Sequence, residues 1–454
     1  MLRASPSARR AERGAPARVR AAPVAALIAG LLAATSARAQ EPGCPPFAEA
    51  HPAVLVAGAD PGVAPEPAAA GGAIVSLPES PPIASEAPAG EALLALPRQP
   101  DGSLPSGFEL APGARVAESF FSPVLCATVA RVVGAADAPP ASLVPTVPAT
   151  ATVVPNSVYL TAADEVAPVV APDPDPYRPL QYGLDHTGVA RARPLSTGAG
   201  ARIAVLDSAP DVRHRDLDGV ALESIEPAGG DPRGAAVHGS LVVGVIAART
   251  GNGFGMAGVA PAARVLALPV CTPEGATARD RCVLYDLLRG VDRAWERESQ
   301  VVNLSLVGPA NPLLERALAR LDQLGVLVVA SAGNEATADP RYPAAYPSVI
   351  GVGAADRDRR RYARSNTGVS AELLAPGVEV LSAVPGDAFA FGSGTSFAAA
   401  HVSGVLGVLI GAGVDPAAAR TALFQQAHDA ARGGLVLLPP ICDVLARLGR
   451  SCPP

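Results

Sequence analysis

The 454-residue sequence contains no lysine, so its formal basic charge, 36 residues, is all arginine. The formal net charge is −6. That balance argues against nucleic acid as the main partner. There is no Cys-x-x-Cys pair and no His-Cys cluster, so nothing suggests a thiolate metal site. After residue 34 no uninterrupted apolar run is long enough to cross a bilayer, so no membrane partner is expected.

What is present is a globular composition, 49% hydrophobic and 17% charged, in a chain long enough for one large domain and smaller pieces. The N-terminus runs from several arginines into the apolar stretch Ala21 to Ala34 and then Ala37-Arg38-Ala39. That order reads as a cleaved export signal, 1–39, giving a secreted protein, extracellular or periplasmic. Arg9-Arg10 is a twin-arginine hint set far from the apolar run. Six cysteines in an exported chain suggest disulfides, and near neighbours in sequence make Cys271 with Cys282 and Cys442 with Cys452 economical, leaving Cys44 for Cys126.

Residues 40–105 are rich in Pro, Ala and Gly and read as a low-complexity extension. Residues 106–165 carry strand-like runs, "ARVAESFF", "PVLCATVARVVG" and "ATVVPNSVYL", and predict a small β-rich or α+β domain. Residues 166–176 form a Pro-rich joint. From residue 177 to the end, short apolar strands ("ARIAVLD", "RVLALPV", "QVVNLSLVG", "GVLVVASAG") alternate with helical stretches ("HGSLVVGVIAAR", "DLLRGVDRAWERES", "PLLERALARLDQLG"). This predicts an α/β fold, a parallel sheet buried between helices. Ligands in such folds bind beyond the carboxyl ends of the strands.

Asp207 ends the strand "ARIAVLD", His238 opens an apolar helix, Asn334 follows "GVLVVASAG", and Ser396 precedes the long helix of "FGSGTSFAAAHVSGVLGVLI". Each alone has an ordinary reading as a turn or cap residue. Together they put a carboxylate, an imidazole, an amide and a hydroxyl where a parallel sheet presents its working edge. A serine hydroxyl needs an imidazole to take its proton, and the imidazole needs a carboxylate to fix its tautomer. An amide N–H beside the serine N–H can hold an oxyanion.

"IAVLDSAPDVRHRDL", "HGSLVVGVIAA", "GVAPAARVLALPV", "VVNLSLVG", "VVASAGNEA" and "GTSFAAAHVSGVLGVLI" resemble, in this order, the motifs of subtilisin-like serine peptidases, the subtilases of peptidase family S8. The resemblance implies that Asp207, His238 and Ser396 form the triad and Asn334 the oxyanion donor. It assigns Ser305, Leu306, Val307 and Gly308 to binding an extended peptide as an added strand, with Ala332 and Gly333 beside the pocket. It also implies that "ATVVPNSVYL" ends an inhibitory propeptide, so the expected partners are a protein or peptide substrate and the chain's own N-terminal domain, in a monomer. Three positions depart from the usual motifs: Ala209 for Gly, Ser240 for Thr and Ala400 for Pro. His401 is read as a packed helix residue. No cofactor is required; calcium is the cation the family sometimes binds, with Asp216 and Asn252 as ligand types and Arg178 where a partner ligand would stand. "GFGMAG", 253–258, fits a dinucleotide pattern but follows a helix instead of a strand. The expected activity is therefore a secreted serine endopeptidase, with a catalytically silent peptide-binding domain or an esterase as the alternatives.

Overall fold

The computed structural model describes residues 88–97, 108–161, 165–168, 175–222, 236–273, 280–369, 372–431 and 435–453. The export-signal reading and most of the extension fall outside them. The N-terminal module is a four-stranded sheet of β1 (Glu91–Pro97), β2 (Arg115–Ser122), β3 (Ala127–Val133) and β4 (Thr152–Pro155) in the order β2-β3-β1-β4. Strand β1 lies within the stretch read as a low-complexity extension, so that reading is corrected: the module reaches back to at least residue 88. Its "EALLALP" alternates for a reason. Ala92, Leu94 and Leu96 join the module's own core, while Leu93 and Ala95 face the larger domain. Two further strands follow, β5 (Val158–Thr161) and β6 (Glu165–Pro168), so part of the presumed joint is strand.

The larger domain holds a seven-stranded parallel sheet made of β7 (Arg202–Asp207), β8 (Ala221–Leu222), β9 (Arg264–Pro269), β12 (Val301–Leu304), β14 (Leu327–Ser331), β15 (Val349–Ala355) and β16 (Glu372–Pro376). Its order is β16-β15-β14-β12-β7-β9-β8, which agrees with the α/β reading. Strands with apolar residues at every position are those buried on both faces. In β7, Ile203 and Val205 point into one core with the helices Val237–Ala247 and Thr395–Gly411, whereas Ala204 and Leu206 point into the other with Leu284–Glu296 and Pro312–Gln323. Smaller strands complete the working edge: β10 (Cys271–Pro273), β11 (Asp280–Val283), β13 (Leu306–Val307) and the hairpin β17 (Val380–Val384) and β18 (Ala388–Ser393). Disulfides join Cys271 to Cys282 and Cys442 to Cys452. Cys126 is also disulfide-bonded, and Cys44 lies outside the described residues.

The N-terminal module docks on the helices 284–296 and 312–323. Phe120 meets Tyr285 edge-on at 5.2 Å. Fully burying a side chain such as Leu93 stabilises by about 1.5 to 3 kcal/mol before entropy is counted. At the centre of this contact the buried Asp292 accepts hydrogen bonds at one oxygen, from Ser122 Oγ at 2.8 Å and from Val124 N at 3.2 Å. Burial pushes the Asp292 carboxyl well above its ordinary range, the two hydrogen bonds oppose this, and Glu296 adds to it. An undocked Asp292 ionises at its ordinary value, so its contribution to docking is present below that value and is lost as pH rises through the raised one. The thermal transition of the uncut chain should therefore fall, as pH rises above the ordinary carboxylate value, more steeply than that of Asp292→Asn, which keeps the acceptor and cannot ionise. Equal slopes in calorimetry would exclude this role.

Candidate active site

Parallel packing brings the carboxyl ends of β7, β12 and β14 together with the N-terminus of the 395–411 helix. Asp207 ends β7, where its Oδ1 accepts from Ser208 N at 2.8 Å and lies 2.8 Å from His238 Nδ1. His238 is the second residue of its helix, and its Nε2 lies 3.1 Å from Ser396 Oγ. Asp207, His238 and Ser396 are all at most 1% exposed. The helix can approach β7 so closely because residue 239 is glycine: a Cβ there would stand 2.1 Å from Ser208 O. Burial opposes charge on the His238 imidazole, but the bonded Asp207, with Asp280, more than offsets it, so the imidazole is raised above its ordinary value.

Ser396 does not cap its helix. Gly394 is the N-cap, without a side-chain bond, and Thr395 Oγ1 instead accepts from Gly333 N at 3.0 Å. Asn334 lies behind it, its Oδ1 accepting from Thr395 N at 3.0 Å. Gly333 makes this turn with φ +99°, and a Cβ there would stand 2.4 Å from Asn366 Nδ2. Ser305 Oγ reaches Ser396 O, and Ser396 Oγ reaches Ser305 O, each at 3.3 Å. Ala332 and Gly333 follow β14 on the same side.

The three unusual positions leave these contacts intact. Ala209 O accepts from Ala236 N at 2.8 Å ahead of the His238 helix, and the residue is not among those with positive φ. Ser240 Oγ accepts from Asp211 N and donates to Ala236 O, both at 2.9 Å. Ala400 is buried within its helix. His401 Nδ1 lies 2.8 Å from Phe397 O, and burial lowers its pKa to about 4.

Strand β5 of the N-terminal segment lies between β11 and β13, antiparallel to both. Thr161 and Leu160 pair with Leu306 and Val307, and Leu160, Tyr159 and Val158 pair with Arg281, Cys282 and Val283. The Tyr159 ring is fully buried against Gly308, where a Cβ would approach it to 2.4 Å, and its hydroxyl donates to Pro309 O at 3.1 Å. Strand β6 then pairs with β18, Glu165 opposite Ser393.

Asp216, 0% exposed, accepts from Asn252 Nδ2 and Met256 N, each at 2.8 Å, and burial raises its pKa to about 6. Arg178 pairs with Asp185. Sequence reading passed over Asp280, Ser208 and Tyr159. The only signal for Asp280 was its place in a segment bracketed by Cys271 and Cys282.

A buried carboxylate, imidazole and serine bonded in sequence at the edge of a parallel sheet are the geometry of a serine peptidase. A family model, the Subtilase family, matches residues 198–437, and the chain belongs to that family. It is 35% identical over 255 residues to the thermophilic serine proteinase of Bacillus sp. (strain AK1), covering 55% of this chain and 62% of that protein. It is 33% identical to thermitase of Thermoactinomyces vulgaris over 56% of this chain and 90% of that protein. Among solved structures it is similar to the Prenylagaramide maturation protease PagA, with TM-score 0.51 and 28% identity over 58% of this chain and 99% of that one. Among the described residues no helix is long and apolar enough to cross a membrane.

Proposed function

We propose that the protein is a secreted serine endopeptidase held silent by its own N-terminal module until that module is cut away. The observation that carries this reading is the bonded order Asp207, His238, Ser396 at 2.8 and 3.1 Å. Neutral His238 takes the Ser396 proton at Nε2 as Oγ attacks the scissile carbonyl. Asp207 holds the Nδ1 proton and stabilises the imidazolium that forms. The tetrahedral oxyanion is met by Asn334 and the Ser396 N–H. His238 then returns its proton to the leaving amine, and water hydrolyses the acyl-enzyme by the same route.

Strand β5 supports a peptide substrate, because it already pairs as an extended peptide through main-chain bonds with β11 and β13. Tyr159 fills a side-chain pocket in the manner of a bound product. Strand β5 pairs with β13 and β6 pairs with β18, the strand that leads to Ser396, which supports a cut between Leu160 and Pro176. The arginine-rich, apolar and Ala-x-Ala order of the first 39 residues supports export.

A fluorophosphonate probe tests the nucleophile directly. The processed protein should be labelled at Ser396 and lose all hydrolysis of a peptide amide in proportion to labelling. A protein that stays unlabelled after residues up to 161 are removed would be a silent peptide-binding domain, and ester turnover without any peptide cleavage would make it an esterase.

A further inference from the structure

The site holds a second carboxylate that the triad chemistry leaves unused. Asp280 opens β11, 2% exposed, on a hairpin closed by the Cys271–Cys282 disulfide. Its carboxylate, that of Asp207 and the His238 ring each present an atom within 4.8 Å of the others. Ser208 Oγ lies between them: it accepts from Gly239 N at 3.1 Å, stands 3.3 Å from Asp207 Oδ1 and is within hydrogen-bond reach of Asp280. A hydroxyl has one proton to give, so it serves one carboxylate at a time. Asp207 Oδ2 and Asp280 Oδ2 are both buried without a hydrogen-bond partner. An uncompensated buried carboxylate is expensive, and the cation that acts on Asp280 is His238 itself.

We propose that Asp280 is a positioning residue of the catalytic centre, whose negative charge stabilises the His238 imidazolium while Asp207 holds the ring. This rests on the reading of Ser396, His238 and Asp207 as a working triad. Before reaction, two carboxylates face a neutral ring and repel each other. When Ser396 gives its proton to Nε2, a cation forms between them and the repulsion is relieved, so the field favours the transition state over the resting state. No proton or bond of Asp280 changes in the step. The charged groups acting on the imidazole are Asp207 and Asp280; those acting on Asp280 are His238 and Asp207. Burial raises the Asp280 carboxyl to about 6, His238 and Ser208 oppose the rise, and Asp207 adds to it, as expected for two carboxylates beside one ring.

The strand that docks here touches Asp280 as well, through Asp280 N to Thr161 Oγ1 at 2.9 Å, so a role in gripping substrate must be separated from a role on the ring. Removing the negative charge destabilises the imidazolium, so the His238 pKa falls. In processed Asp280→Asn, the acid limb of kcat/KM should move down by about one pH unit and the plateau of kcat should fall about tenfold, with KM within about twofold. Asp280→Glu should restore the limb. A raised KM with an unmoved limb would make Asp280 a substrate contact only and overturn the proposal. If Asp280→Asn does not fold, Asp280→Glu and Asp280→Ser are compared in the same way.

A second readout needs no turnover. In the uncut Ser396→Ala chain, NMR titration of the His238 ring with and without Asp280→Asn should show the same downward shift of about one unit. An unchanged titration overturns the proposal. A wild-type protein that reacts with no phosphonate, yet shows this shift, overturns the peptidase reading and leaves the field of Asp280 on His238 standing.

Discussion

Ser396→Ala should leave the chain uncut and lower peptide hydrolysis by about 10⁶-fold, the cost of removing the nucleophile in subtilisin itself. Among the described residues Ser396 Oγ is the hydroxyl bonded to His238 Nε2, at 3.1 Å, and Ser208 Oγ stands instead with Asp207. Alanine removes the attacking atom while leaving Asn334 and the backbone N–H groups, so residual activity measures what these donors do without a nucleophile. Intact mass and N-terminal sequence of wild type beside the variant give the answer. Wild type cut between Leu160 and Pro176, with the variant at full length, ties processing to Ser396. A variant cut at the same bond would assign the cut to another protease, and hydrolysis within about tenfold of wild type would remove Ser396 from the mechanism.

Asp207→Asn should lower kcat by about 10⁴-fold near neutral pH, the magnitude the same change produces in trypsin. The carboxylate accepts the Nδ1 proton of His238 at 2.8 Å, leaving Nε2 bare to receive the serine proton. An amide can present its N–H₂ to Nδ1, which places the ring proton on Nε2 and blocks transfer. No solvent can substitute, because both side chains are at most 1% exposed. Asp280 cannot substitute either, since it does not hold the Nδ1 proton. The sign of the pH effect follows from the raised imidazole of the native site, which must be neutral to act as base. Native activity is lost as pH falls through that raised value, and removing Asp207 moves the loss to lower pH. Stopped kinetics from about pH 5 to 9 would separate the two effects; a loss under about tenfold would mean that Asp207 does not orient the ring.

The four residues Asp207, His238, Asn334 and Ser396 were legible because each lies at or within three residues of the end of a regular element. An apolar run ending in a polar residue marks the point where a parallel strand reaches the surface, and the chain order of such points matched one family. Strands β15 and β16 were less legible. "VIGVGAA" carries two glycines and small side chains, a pattern that fits a strand only once neighbouring strands cover it. Strand β1 was hidden in a Pro- and Ala-rich stretch, and its "ALLAL" is a strand because two cores claim alternate residues.

The sequence by itself determined the class of fold, the chemistry of the reacting groups and their order, since these depend on local patterns of burial and on residue type. Tertiary structure alone decided the distances that make them a bonded chain, the register of β5 against β11 and β13, and the place of Asp280. Asp280 follows a segment with no regular pattern. It reaches His238, 42 positions away by their residue numbers, only because the Cys271–Cys282 hairpin folds back over the end of β7. Charge acts through space, and no local pattern encodes which strands will end beside one another.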